Sequence, residues 1–153
     1  MQRLVDYRYS EVIGSSFNII SPTICQLLEG IHFFVGTDPI YAGLHNYIDT
    51  EDGRSLRNTA HCCYPWNMID KKPVIVLPEI TTPDIVVHEL GHYLDFLLGF
   101  RHNAIPINEY AKTNRREAFA EAFTARYFYL SKEANDIYLA DKSTHYLFEC
   151  LGA

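Results

Sequence analysis

Thr82-Pro83-Asp84-Ile85-Val86-Val87-His88-Glu89-Leu90-Gly91-His92-Tyr93-Leu94-Asp95-Phe96-Leu97-Leu98-Gly99 reads as one helix from start to stop. Thr82 stands at the N-cap, Pro83 at the first helical position, and Asp84 at the positive end of the helix dipole. Gly99 is a C′ residue that ends it. Val86, Val87, Leu90, Leu94, Leu97 and Leu98 wrap much of the circumference, so the helix is expected to be largely buried. Within it lies His88-Glu89-Leu90-Gly91-His92. Histidines four apart share a helical face, and two imidazoles so placed bind one zinc ion at about 2.0–2.1 Å. Glu89 sits beside that face, within reach of a water whose pKa zinc lowers toward about 7. A metal-free reading must bury Glu89 as an uncompensated charge, which is costly. Asp95, on the same face, is expected to hold a ligand imidazole by its second ring nitrogen.

A third ligand must come from outside this helix. The metzincin pattern would require Gly at 95 and His at 98, where the chain has Asp95 and Leu98. His102 follows Gly99 in a loop without a supporting pattern. A second helix, expected from about Asn114 to about Leu130, carries Glu117 and Glu121 on one face, four residues apart. One would bind the metal while the other orients a histidine. Glu117 also stands at capping-box spacing from Asn114, but two acids among Ala118, Phe119, Ala120, Ala122 and Phe123 call for a nearby cation. Glu117 is therefore the preferred ligand.

The rest of the chain is consistent with an α+β fold in a single domain, residues 1–153, with a small mixed sheet and a mainly helical C-terminal half. Ser21-Pro22 opens a helix that stops at Gly30, and Ile31 to Val35 reads as a strand. Val74 to Leu77, flanked by Pro73 and Pro78, reads as an edge strand beside the metal helix. An extended peptide is expected to pair with it. Residues 36–72 read as irregular or hairpin structure, 100–113 as a loop broken by Pro106, and Lys132 to Phe148 as one further helix. The stretch 1–35 is otherwise ambiguous.

Composition narrows the partners. The formal net charge of −6 over 153 residues, with only Lys112, Arg115 and Arg116 clustered, argues against nucleic acid. No apolar run approaches the roughly 18 residues of a membrane span. Met1 to Ser10 lacks the apolar core of a signal peptide, which leaves the compartment undecided between cytoplasmic and secreted. The four cysteines, Cys25, Cys62, Cys63 and Cys150, match no zinc ribbon or finger and are expected as thiols. His61 beside Cys62 and Cys63 is read as a core or loop residue. The 11 tyrosines and 9 phenylalanines are assigned mainly to the core and its rim.

The segment Tyr110-Ala111-Lys112-Thr113-Asn114-Arg115-Arg116-Glu117-Ala118-Phe119-Ala120-Glu121-Ala122-Phe123, with the histidine motif and Asp95, resembles the catalytic domain of anthrax lethal factor and the secreted Pro-Pro endopeptidases. The resemblance covers residues 88–123. It implies zinc held by His88, His92 and Glu117, Glu89 as general base, Tyr110 as oxyanion donor, and Glu121 supporting a ligand. Tyr93, the rival for the oxyanion role, follows His92 directly and points off the ligand face. The loop between His92 and Glu117 is shorter than in those relatives, so their substrates do not carry over. That spacing is also similar to the intracellular regulatory peptidases of the ImmA/IrrE type, whose Leu-Leu-Met-Pro ending is replaced here by Tyr127-Phe128-Tyr129-Leu130. The expected function is a zinc-dependent endopeptidase acting on an extended protein or peptide, with a toxin or effector role as one option. The alternatives are an ImmA/IrrE-type regulatory peptidase and a non-catalytic zinc-stabilised binding module.

Overall fold

The computed structural model describes residues 10–35, 60–63, 74–78 and 80–153; apart from residues 60–63, the expected irregular stretch 36–72 lies outside them. Two short helices open the described chain, α1 (Ser10–Ile19) and α2 (Pro22–Leu27). Helix α1 was not legible in the sequence. Helix α2 starts where its signals lie: the Ser21 hydroxyl accepts from the Ile24 N–H at 3.3 Å, and Pro22 occupies the first position. Past its end, Gly30 takes a φ of 92°, a backbone conformation that glycine adopts without a Cβ clash.

Three strands follow, β1 (His32–Val35), β2 (His61–Cys63) and β3 (Val74–Leu77). They form a mixed sheet in the order β1-β3-β2, with β1 parallel to β3 and β2 antiparallel to it. The expectation of an edge strand at Val74–Leu77 is therefore corrected: β3 is the central strand. All four of its residues are buried, as a β-branched run covered on both faces must be. Pro78 lies one residue past the ladder, where its missing N–H interrupts nothing; the proline marks where pairing stops, not which side of the sheet is open. The outer strand packed near the helix that carries His88 and His92 is β2.

Helix α3 (Pro83–Leu97) has every residue from Glu89 to Asp95 buried. Thr82 occupies the N-cap in extended conformation, but its hydroxyl donates to the Asp84 carboxylate instead of capping. At the other end Gly99 (φ 74°) and Phe100 (φ 56°) turn the chain out of the helix. The left-handed backbone at Phe100, unfavourable for a residue with a Cβ, is held by the Arg116 guanidinium 4.8 Å above its ring and by its N–H bonded to the Asp95 carbonyl.

A 3₁₀ turn at Tyr110–Lys112 leads into α4 (Arg115–Tyr127). Helix α4 stops short of the expected Leu130, because the side chain of Asn135 caps the departing backbone. It donates to the carbonyls of Ala125 and Phe128 and accepts from the Leu130 N–H. The single helix expected over Lys132 to Phe148 is two, α5 (Lys132–Ala140) and α6 (Lys142–Leu151). Asp141 leaves helical geometry and its carboxylate accepts from the Thr144 N–H at 3.2 Å, the N-cap behaviour of an aspartate. The core joins Ile13, Ile24, Phe33, Ile75, Leu90 and Leu94 to an aromatic group in which Phe148 packs edge-on against Phe119 and Phe123. Those phenylalanines are core, as composition suggested.

Helices α3 and α4 make the most extensive contact in the fold, and Gly91 sits at its closest point. A Cβ there would lie 3.1 Å from the Ala120 Cα and 3.2 Å from a Phe123 ring carbon. Because the nearest atom is backbone, the helices must part to admit a methyl group. Gly91→Ala is expected to cost about 1–3 kcal/mol in thermal or denaturant unfolding, despite alanine's better helix propensity. A Gly91→Ala protein as stable as the parent would show that the interface has slack.

Candidate metal centre

The contact at Gly91 brings three side chains to one point. Glu117 is the N3 residue of α4, and its N–H is capped by the Asn114 side chain at 2.9 Å. Only half of the capping box forms: the Glu117 carboxylate turns toward α3 and lies between the two imidazoles. Its Oε2 is 3.0 Å from His88 Nε2 and its Oε1 is 2.9 Å from His92 Nε2. The ligand atoms of His88, His92 and Glu117 all fall within 4.8 Å of one another, the one such group among the described residues.

The group could hold a metal ion. Two donors each about 2.0–2.1 Å from one tetrahedral ion stand about 3.4 Å apart, close to the separations here. Both histidines present Nε2 to Glu117, and the other nitrogen of His88 is already engaged, Nδ1 lying 3.2 Å from Glu121 Oε2. With a metal at Nε2, that contact would hold the remaining proton on Nδ1. Glu121 thus faces the far nitrogen of His88 and stands outside the group itself. Asn108, which the sequence reading passed over, donates from Nδ2 to the other oxygen of Glu121 at 3.2 Å. The sequence signal available for it was its place two residues before Tyr110, as an Asx residue opening a turn.

Asp95 is corrected. It is fully buried, but its Oδ2 is paired with the Arg115 guanidinium, while its Oδ1 and the Nδ1 of His92 are each buried without a hydrogen-bond partner. It ties α3 to the start of α4 and does not hold an imidazole. A guanidinium forms a charge-assisted pair with a buried carboxylate. His102 is no ligand either: its Nε2 is 2.8 Å from the Thr144 hydroxyl, which donates in turn to Asp141.

Glu89 is buried and, with His88, Tyr110, Glu121 and Thr124, lines a cavity of about 370 Å³. Ala60, Pro78, Ile80, Ile85 and Leu130 give it apolar walls, and Asp84 adds an acid. The Tyr110 ring lies 5.7 Å from the His88 ring and is 39% exposed. Tyr93, by contrast, is buried against Phe96, away from the cavity. Cys25, Cys62 and Cys150 are in no disulfide. The side chains of His61 and Cys63 lie outside the described residues.

The electrostatics of the group favour positive charge among the carboxylates. Desolvation alone would lower the pKa of His88, but its hydrogen bonds to Glu117 and Glu121, with the charges of Glu89 and Glu117, outweigh burial and raise it to about 10. Burial opposes ionisation of Glu117, yet the hydrogen bonds and charges of His88 and His92 hold it well below the usual carboxylate range. Without metal, a proton on His88 is the positive charge this pocket takes.

No protein-family model, curated protein or solved structure matches this chain. No described helix is long and apolar enough to cross a membrane.

A metal ion held by His88 would compete with the proton on that ring. The folded pKa is raised, so the metal-free site keeps its proton at neutral pH and loses it only as pH climbs through about 10. Apparent zinc affinity is expected to rise about tenfold per pH unit from pH 7 to 9, one proton leaving per ion bound. Competition titrations against a chelator of known pH dependence measure the slope, and a flat profile would show that His88 is not the group displaced. Elemental analysis is expected to find one zinc per chain in the wild-type protein and little or none in Glu117→Ala, whereas equal, tight binding in the variant would remove Glu117 from the ligand set.

Proposed function

We propose that this chain is a zinc-dependent endopeptidase, with a zincin-like arrangement of its α+β fold and zinc held by His88, His92 and Glu117. One observation carries the reading: Glu89, the buried acid between the two histidines in sequence, opens onto the same cavity as His88, with the hydroxyl-bearing Tyr110 on its rim. A metal centre built only for stability has no need of a carboxylate and a phenol facing open space beside it. The resemblance to lethal factor and the Pro-Pro endopeptidases belongs to the same proposal.

Zinc, when bound, supplies Lewis acidity toward water and a peptide carbonyl. The protein's own groups do the rest. Glu89 takes the proton of the attacking water and passes it to the departing amine nitrogen, so that one water is consumed for each C–N bond broken. Tyr110 donates its hydroxyl proton in a hydrogen bond to the carbonyl oxygen as negative charge builds there. Glu121 keeps the His88 ring turned, and Arg115 through Asp95 keeps the two helices in register.

The substrate is an extended peptide. Because β3 is enclosed between its neighbours, the strand offered for pairing among the described residues is β2, the outer antiparallel strand, with Ala60 just before it on the cavity wall. The apolar lining of Ile80, Ile85 and Leu130 suits an apolar side chain next to the scissile bond.

Glu89→Gln is expected to keep zinc at wild-type stoichiometry and lower turnover of a selected peptide by about 10²–10⁴-fold. Tyr110→Phe is expected to lower kcat by about 100-fold with little change in KM. A wild-type protein that holds zinc but cleaves no member of a broad peptide library, or a Glu89→Gln variant that still turns over, would replace this reading with a zinc-stabilised binding module.

A further inference from the structure

Asn108 is the joint between two parts of the centre that come from different segments. Its Oδ1 accepts from the Ala111 N–H at 2.8 Å, which closes the turn carrying Tyr110. Its Nδ2 donates to Glu121 Oε1 at 3.2 Å, and the other Glu121 oxygen faces His88 Nδ1 at 3.2 Å. A continuous path of hydrogen bonds thus runs from the backbone of the Tyr110 turn, through one amide and one carboxylate, to a ligand imidazole. An asparagine suits this place because it offers an acceptor and a donor on opposite sides of one planar group. Aspartate has no donor and would set a second negative charge against Glu121.

We infer that Asn108 is a positioning residue of the metal centre. It holds Glu121 so that the carboxylate receives the Nδ1 proton of His88, and it ties the Tyr110 turn to the same carboxylate. The inference rests on the zinc reading above and needs no assumption about substrate. Groups that support metal ligands in this way typically change metal affinity by about 10–100-fold when removed.

Asn108→Asp separates the two contacts, since it keeps an oxygen for the Ala111 N–H and loses the donor to Glu121. Three proteins answer the question beside wild type: Asn108→Asp, Glu121→Gln, and the double variant. In the double variant the roles are swapped, and the new amide at position 121 can donate to the new carboxylate at position 108. Zinc affinity is read by chelator competition and melting temperature is read on the metal-free proteins. Asn108→Asp is expected to bind zinc about 10–100-fold more weakly while melting close to wild type. Adding Asn108→Asp to the Glu121→Gln background should cause no further loss. Should Asn108→Asp also lower the melting temperature, the swapped pair decides, because a purely structural defect at the turn would persist in the Glu121→Gln background. Equal zinc affinity in wild type and Asn108→Asp, or the same loss from Asn108→Asp in both backgrounds, overturns the role of Asn108 and leaves the zinc reading standing. A wild type that takes up no zinc overturns both.

Discussion

The Glu117 carboxylate between two imidazoles is the contact on which the rest of this structure depends. It joins the buried centre of α3 to the first turn of α4, and it places charge where the surroundings are largely apolar. Such a group is tolerated only with compensation. Here the compensation is layered. The N-terminal end of α4 presents its positive dipole end to Glu117, the Asn114 side chain accepts from the backbone N–H of Glu117 itself, and the imidazoles supply donors or, through one proton, a full positive charge. A divalent cation satisfies the same set of groups with more charge than a proton brings. The close approach at Gly91 follows from the same constraint, since a bulkier residue there would move Glu117 away from the histidines.

The parts of the fold and site that were legible in the sequence are those encoded by contacts close along the chain. Pro83 and Gly99 bracket α3, Ser21-Pro22 opens α2, and Asn114 caps α4, each through local backbone chemistry. The spacing of His88 and His92, and of Glu117 and Glu121, fixes which side chains share a face. What failed depends on distant partners. The prolines flanking β3 described its ends but could not reveal that β1 and β2 flank it. Asp95 lay on the ligand face by helical spacing, yet the arginine that claims it is 20 residues away. The break at Asp141 was written in an N-cap residue, but apolar periodicity on both sides masked it. The function proposed from His88, His92, Glu89 and Glu117 has the same local origin, because two short segments hold every group it uses.

The loop from Phe100 to Thr113 must carry Tyr110 to the cavity without the regularity of a helix, and its anchors show how it does so. At its start, Phe100 is covered by Arg116, and the His102 carbonyl accepts from Arg115. In the middle, His102 reaches Thr144, and the Ile105 N–H donates to Asp141, so the loop is fastened to the first turn of α6. At its end, Asn108 bonds both its own turn and Glu121. Helix α6 therefore matters to the site although it supplies none of the grouped side chains His88, His92 and Glu117, and the split between α5 and α6 has a purpose: it frees the Asp141 carboxylate to hold the loop as well as cap the helix. A loop fastened at three points to helices that themselves meet at the ligands can hold a phenol at the cavity rim with little conformational entropy left to lose on binding, which is the condition for a donor to act on charge as it develops.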